Sequence, residues 1–491
     1  MAASQDLAVP VKPAARSDAW LPNVALALAG GLALRYTLAL DPLWWMACVA
    51  PVPLLVAVVR ARGRREALVL ATLAGLVGVS VNLDYLHIVM GWPAALGVLA
   101  LQALGWTLVL GLARRVIVRG SVLPAFLAYP LLGAAFDMLS AHLLPDGNWG
   151  SVGYSQAANL PAAQLVALGG VPLLVFVTSL FPSAVALWIL RGRSALPGMF
   201  VAFVVCSMCQ TWGVQRTATP AAAAGTPVGL ASIDDYIGPR TPPAFAERVW
   251  QQYERHIASL AVRGARIVVL PEKIAMFGPD QPVAPVQQRL ARAAAQAHVW
   301  LVAGVGYENQ GARFNRGWLF APDGTLAQDY EKQKMAPGER EFVRGHVPAV
   351  QEIDGQRIGV AICKDMHFAG VGRGYAQLAA QALMVPAWDF GLDGHYAARL
   401  SALRGIEGGY AMVRVSREGF MTVTDGYGRI FGETATAPMP GATMLAWIPA
   451  AAPPLPLYAR IGDAFGWLAL ALCGLMLITR GGTSPGNERL V

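Results

Sequence analysis

RIGVAICKD, residues Arg357 to Asp365, decides the reading of this chain. Six apolar or basic residues of strand character end on a thiol, a cation and a carboxylate. The run is continuously apolar after Arg357, without polar alternation, as expected of a strand covered on both faces. A polar residue just past such a strand is held by the strand while its tip opens to a cleft. Three further segments read the same way: ARIVVL (265–270), WLVAGVGY (300–307) and ALMVPA (382–387). Helical patterns at 243–263, 284–297, 373–381 and 395–408 lie between or after them. PDG at 322–324 and DG at 425–426 mark hairpin turns. Apolar strands with intervening helices predict an α/β layered domain over 227–448.

Outside this domain the composition changes. The 491 residues are 55% hydrophobic and only 14% charged, against roughly 25% charged in soluble proteins. Apolar runs long enough to cross a bilayer as helices fall at 20–38, 42–59, 66–88, 92–113, 121–140, 161–190, 196–214 and 463–479. The chain thus divides into an N-terminal segment 1–19, a membrane domain of about seven helices over 20–215, the domain 227–448 and a C-terminal span 463–479. The sixth run contains Gly169, Gly170 and Pro172 and is expected to bend or to start outside the membrane. Residues 216–227 and 450–457 read as linkers.

The net charge of +8 lies largely in alternate loops: Arg60, Arg62, Arg64 and Arg65; Arg114, Arg115 and Arg119; Arg191 and Arg193. The positive-inside rule makes that side cytoplasmic, with Lys12 and Arg16 at the N-terminus. Seven crossings then place the α/β domain outside the cytoplasm, and Arg480 and Arg489 return inside. This distribution explains the basic balance without nucleic acid.

Of five cysteines, only Cys363 lies in the α/β domain, so no disulfide framework is available there. Cys206 and Cys209 form a CxxC inside an apolar run, without further metal-ligand partners, and read as packing residues. No phosphate loop, dinucleotide glycine motif or zinc spacing is present, and no cofactor or metal is expected.

Three segments carry candidate chemistry: LPEK (270–273), YEKQKMAPGERE (330–341) and VAICKD (360–365). A thiol attacks as thiolate and needs a base. Glu272 can accept that proton, and Lys332 can stabilise an oxyanion together with a backbone N–H near Lys364. The bland alternatives are a helix-capping Glu272, a buried structural Cys363, and surface charges at Lys273 and Lys334. Trp149 also reads as an interfacial anchor, His395 as a structural histidine, and Asp84 and His87 as polar boundary or headgroup-facing residues.

Glu after a strand, Tyr330-x-Lys332, and Cys363 closing a strand resemble the Glu–Lys–Cys signature of the nitrilase, or carbon–nitrogen hydrolase, superfamily. RGIEGGYAMVRVSREG (404–419) resembles a later segment of that superfamily, with Arg404, Glu407, Arg414 and Gly419 at matching places. The membrane spans around the domain, and GNWGSVGYSQAANLPAAQLVALGGVPLL (147–174) with its Trp149 and Tyr154, resemble the apolipoprotein N-acyltransferase family. That resemblance implies an α-β-β-α sandwich on the extracytoplasmic face of the inner membrane. It implies acyl transfer from a phospholipid, through a Cys363 thioester, to the α-amino group of a diacylglyceryl apolipoprotein. A membrane-tethered amidase or nitrilase is the alternative. Trp149, Tyr154, Trp388 and His395 become substrate-binding candidates, and a monomer is expected.

The chain departs from the family pattern in places. One residue is missing from the Pro-Phe-Gly-Glu element, so Glu339 or Glu341 takes the supporting acid. Lys364 and Asp365 stand where the family has Tyr-Glu, Tyr410 stands in place of an arginine, and the opening strand reads LASIDDY (230–236). Loops 271–283 and 336–350 are expected to cover the site.

Overall fold

The structure is a computed structural model that describes residues 20–220 and 225–478. The N-terminal segment 1–19, with Lys12 and Arg16, lies outside the described residues, as do residue 479, Arg480 and Arg489.

Among the described residues, four helical stretches are long and apolar enough to cross a membrane: Trp20–Leu38, Arg64–Arg119, Val122–Leu143 and Val166–Thr217. Met46–Arg60 and Ala464–Ile478 are shorter apolar helices. The 56-residue stretch Arg64–Arg119 is more than twice as long as one crossing needs at about 1.5 Å per residue. It is broken at Gly91, whose φ of 75° precedes Pro93, and the expected runs 66–88 and 92–113 lie on either side of that break. Val166–Thr217 is divided by the turn Gly192–Ala195. Gly170, at φ 68°, bends the first part of it. A Cβ there would sit 2.5 Å from the Tyr458 ring, so both conformation and space call for glycine.

The arginine loops gather at one end of this bundle. The Arg114 guanidinium donates to the carbonyls of Val58 (2.7 Å) and Ala61 (3.0 Å). Arg191 donates to those of Gly120 (3.0 Å) and Ile117. These bonds satisfy helix-end carbonyls that otherwise lack partners. The opposite end carries the α/β domain.

That domain is two sheets packed face to face. In the first, the strand order is Ala442–Ile448, Thr226–Ser232, Ile267–Val269, Trp300–Asn309, Ala312–Phe320, Leu326–Glu331. In the second it is Ile430–Ala435, Phe420–Thr424, Ala411–Arg417, Ala382–Trp388, Gln356–Val360, Ala349–Ile353. Each sheet is parallel at its centre and antiparallel at its edges. Period-two alternation decides which way each side chain points. Ile267 and Val269 enter the core between the sheets with Val360, Val385 and Val413. Val268 and Leu270 face the other way, against Val249, Tyr253 and Ile257 of the helix Pro243–Val262.

On the far side of the sandwich, the helix Gly394–Gly408 packs against the membrane domain. Its Tyr396, Leu400, Leu403 and Ile406 share one apolar cluster with Ala163, Val166 and Val171. The layer that covers the second sheet is therefore also the layer docked on the membrane helices. The helix expected at 373–381 forms earlier, at Ala369–Gln377.

Candidate active site

Cys363 follows the strand Gln356–Val360, which ends three residues sooner than the apolar pattern suggested. Asp365 causes the early exit. Its Oδ2 accepts the Ile362 N–H at 2.9 Å and turns the chain. Cys363 itself sits at φ 42°, a left-handed conformation that a non-glycine residue holds at a cost of about 1 kcal/mol or more. Asp365 is fully buried and further accepts the Gln333 N–H (3.0 Å), the Lys334 N–H (2.8 Å) and the Tyr330 hydroxyl (2.7 Å). One carboxyl thus joins the cysteine turn to the lysine segment. Burial pushes it up to about 6.

Lys332 continues the edge strand Leu326–Glu331 inward. Its ammonium is 1% exposed and lies between two carboxylates, Glu272 at 2.7 Å and Glu339 at 2.6 Å. Asn315, fully buried, donates to the same two groups at 2.6 and 2.9 Å. Lys273 also pairs with Glu339. Burial alone would lower the Lys332 ammonium; the two carboxylates outweigh it and hold it well above its ordinary value. Burial alone would raise Glu339; Lys332 and Lys273 hold it well below the usual carboxylate range. Glu272 is placed by the turn after Ile267–Val269, where its N–H donates to the Ala387 carbonyl across to the second sheet (3.2 Å).

Cys363 lines the same cavity of about 330 Å³ as Glu272, Lys332 and Glu339. Its Sγ lies 3.7 Å from the Trp388 carbonyl oxygen. Burial and the neighbouring Glu272 push the thiol up to about 12, against the opposing pull of Lys332 and Arg414. The resting group is therefore the thiol, and attack requires its proton to be removed during the reaction. The far wall of the cavity comes from the membrane helices, through Tyr85, Leu86, Val89, Met90, Val98 and Leu101. A second cavity of about 340 Å³ lies among those helices and shares Leu101, Gln102, Leu144 and Trp149 with the first.

The other sequence candidates separate clearly. Trp149 and Trp388 both line the cavity. Trp149 stacks on Tyr85 with centroids 5.4 Å apart, and Trp388 lies under the Arg417 guanidinium at 3.8 Å. Lys364 lines the cavity and pairs with Asp146. Tyr154 lies behind the wall: it is buried, its hydroxyl donates to Asn148 at 2.5 Å, and its ring meets Tyr396 edge-on. Glu341 is exposed, paired with Arg313 at 3.1 Å, because the short turn at Pro337–Glu339 leaves Glu339 pointing inward. His395 is on the surface, against the Phe420 ring. The competitor Lys334 lies over the Phe368 ring at 4.8 Å.

Lys273 corrects an expectation. The sequence offered it as a surface charge, yet it is 9% exposed and part of the cluster. Asn315, Asp389 and Tyr85 escaped the sequence reading altogether, and Arg414 entered it only as a matching position of the later segment. Arg414 donates to Asp389 at 2.9 Å, and the Tyr85 hydroxyl donates to Asp393 at 2.9 Å. Asn315 had a faint signal, a lone amide in the otherwise strand-like RFNRGWLF.

Comparison with known proteins gives the family of the chain. Residues 30–184 match the family described as apolipoprotein N-acyltransferase N-terminal domain, and residues 236–443 match carbon–nitrogen hydrolase. An apolipoprotein N-acyltransferase of Gloeobacter violaceus is 31% identical over 525 residues, covering 96% of both chains. Its counterpart from Geobacter metallireducens is 26% identical over 88% of this chain and 89% of its own. An omega-amidase of Homo sapiens is 30% identical over 26% of this chain and 54% of its own. The solved structure of an amidase from Nesterenkonia sp. superposes with a TM-score of 0.42 at 18% identity, covering 50% of this chain and 98% of that one.

Proposed function

Because this chain belongs to the apolipoprotein N-acyltransferase family, we propose that it performs the family's N-acyl transfer through a thioester on Cys363. The supporting observation is one cavity in which a thiol, a carboxylate bonded to a buried ammonium, and apolar membrane helices all meet.

In the first half-reaction Glu272 takes the thiol proton as Sγ attacks an ester carbonyl of a phospholipid. The oxyanion that forms is met by Lys332 and by a backbone N–H of the cysteine turn. The ester C–O bond breaks, the proton passes to the departing lysophospholipid, and the acyl chain stays as thioester. In the second half-reaction the α-amine of a diacylglyceryl cysteine attacks the thioester. Glu272 receives its proton and returns it to the sulfur as the amide is released. Glu339, Lys273 and Asn315 hold Lys332 and Glu272 in place, and Asp365 fixes the cysteine turn.

The bundle end opposite the arginine loops bears the catalytic domain, which supports the inner membrane with the site on the extracytoplasmic face. Both substrates are anchored there, so encounter is confined to the membrane plane. The apolar membrane wall of the cavity favours a lipid substrate over the small amide of an amidase, and an amidase acting on a lipidic amide is separated from this reading by the acceptor.

The test supplies purified protein with phospholipid and a synthetic diacylglyceryl-cysteine peptide. N-acylated peptide and lysophospholipid in equal amounts are expected, and neither with Cys363→Ala. Free fatty acid in place of acylated peptide would make the chain a hydrolase.

A further inference from the structure

The lysines of the cavity wall are each paired with a carboxylate, but the pairs differ in kind. Lys332 is locked between two buried carboxylates, and Lys273 shares one of them. Asp389 is held by buried Arg414. Lys364 alone among the cavity lysines pairs outside the catalytic domain, with Asp146 on the loop that follows the helix Val122–Leu143. Its side chain is 9% exposed, whereas that of Asp146 is 25% exposed. A buried ammonium is costly without a charged partner, while a carboxylate nearer solvent separates from it far more cheaply. Lys364 is thus a cation that can change partners.

Its position decides which partner. Lys364 directly follows the nucleophile, about 3.8 Å away between Cα atoms. In a phospholipid the phosphodiester is joined to the reacting ester by the short glycerol unit. An ester placed at Cys363 puts that anion within reach of a lysine side chain on the adjoining residue. Lysine binds phosphate as a compact point charge and needs no fixed fork geometry. The loop bearing Asp146 also supplies Pro145, Gly147 and Trp149 to the same wall, so the exchange happens where membrane domain and catalytic domain meet.

We propose that Lys364 binds the phosphate of the acyl donor, leaving Asp146 for the phosphodiester when the lipid ester reaches Cys363. This rests on the acyl-transfer reading, and it assigns donor selection to a residue that departs from the family's tyrosine.

The full-length protein is given either phosphatidylglycerol or diacylglycerol of the same acyl chains, and acylation of Cys363 is followed by mass. Lys364→Met is expected to lower kcat/KM for phosphatidylglycerol by about 10- to 100-fold, mainly through KM, with Lys364→Arg restoring most of it. Acylation by diacylglycerol, which has no phosphate, stays at the wild-type rate. Asp146→Asn, which removes the competing charge, lowers KM for phosphatidylglycerol several-fold. Inorganic phosphate slows wild type and Lys364→Met equally. Equal losses with both donors would reduce Lys364 to a structural role, and unchanged rates with both would remove it from the site. Selective inhibition of wild type by inorganic phosphate would make this a free-anion site. A wild-type protein inert to both donors would overturn the acyl-transfer reading and this assignment with it.

Discussion

Glu272 has two effects on Cys363 that oppose one another. Its charge raises the thiol, and its carboxylate is the proposed base. Glu272→Gln separates them. The raising charge is gone while Lys332 keeps its lowering influence, so the thiol falls from about 12 and more thiolate is present near pH 8. The account expects the midpoint of the iodoacetamide rate–pH curve to move down, because the raising charge is removed, alongside loss of acyl transfer because the base is removed. A midpoint that stays or rises would contradict the charge effect, and acyl transfer at the wild-type rate would contradict the base. The sign of this effect was not readable from the sequence, since it depends on which charges surround the sulfur. The three residue types and their order were readable, but their convergence came from family resemblance. Asn315 and Lys273 were missed because local sequence does not say which polar groups of a strand or turn face inward.

At the scale of elements, the site depends on close backbone approach between neighbours. Gly304, in the strand Trp300–Asn309, lies against the turn that bears Glu272. A Cβ at this position would stand 2.6 Å from the Glu272 Cα and 2.7 Å from the Pro271 carbonyl oxygen. Both are backbone atoms, so no rotamer change relieves the clash. Gly304→Ala is expected to cost about 1–3 kcal/mol and to reduce acyl transfer by displacing Glu272. Melting temperature and acylation rate check this together, and wild-type values for both would contradict the packing described. The elements themselves were largely legible. Continuous apolar runs revealed the parallel strands, and PDG and DG the hairpins. The end of the cysteine strand was not: Asp365 turns the chain by accepting the Ile362 N–H, and is itself held inward by hydrogen bonds from residues about thirty positions away.

For the whole molecule, the active site exists only where two domains meet. Tyr85 and Asp393 are 308 residues apart in the chain and joined by one hydrogen bond. No periodicity or spacing announces such a contact, whereas the membrane runs and the arginine-rich loops could be read directly. If the acyl chain lies in the membrane-facing cavity, its length is measured there. Leu101 stands where the two cavities adjoin, and Leu101→Trp is expected to shift preference toward shorter chains. Each methylene excluded removes about 0.8 kcal/mol of favourable burial. Competition between donors of different chain length reads this out, and an unaltered preference would place the acyl chain elsewhere.

The most direct test of the central claim is the intact mass of the membrane protein after exposure to phospholipid. The account predicts a fatty-acyl adduct on the wild type that hydroxylamine removes and that Cys363→Ala never acquires. A folded wild type that gains no adduct, or an adduct that persists in Cys363→Ala, would contradict it.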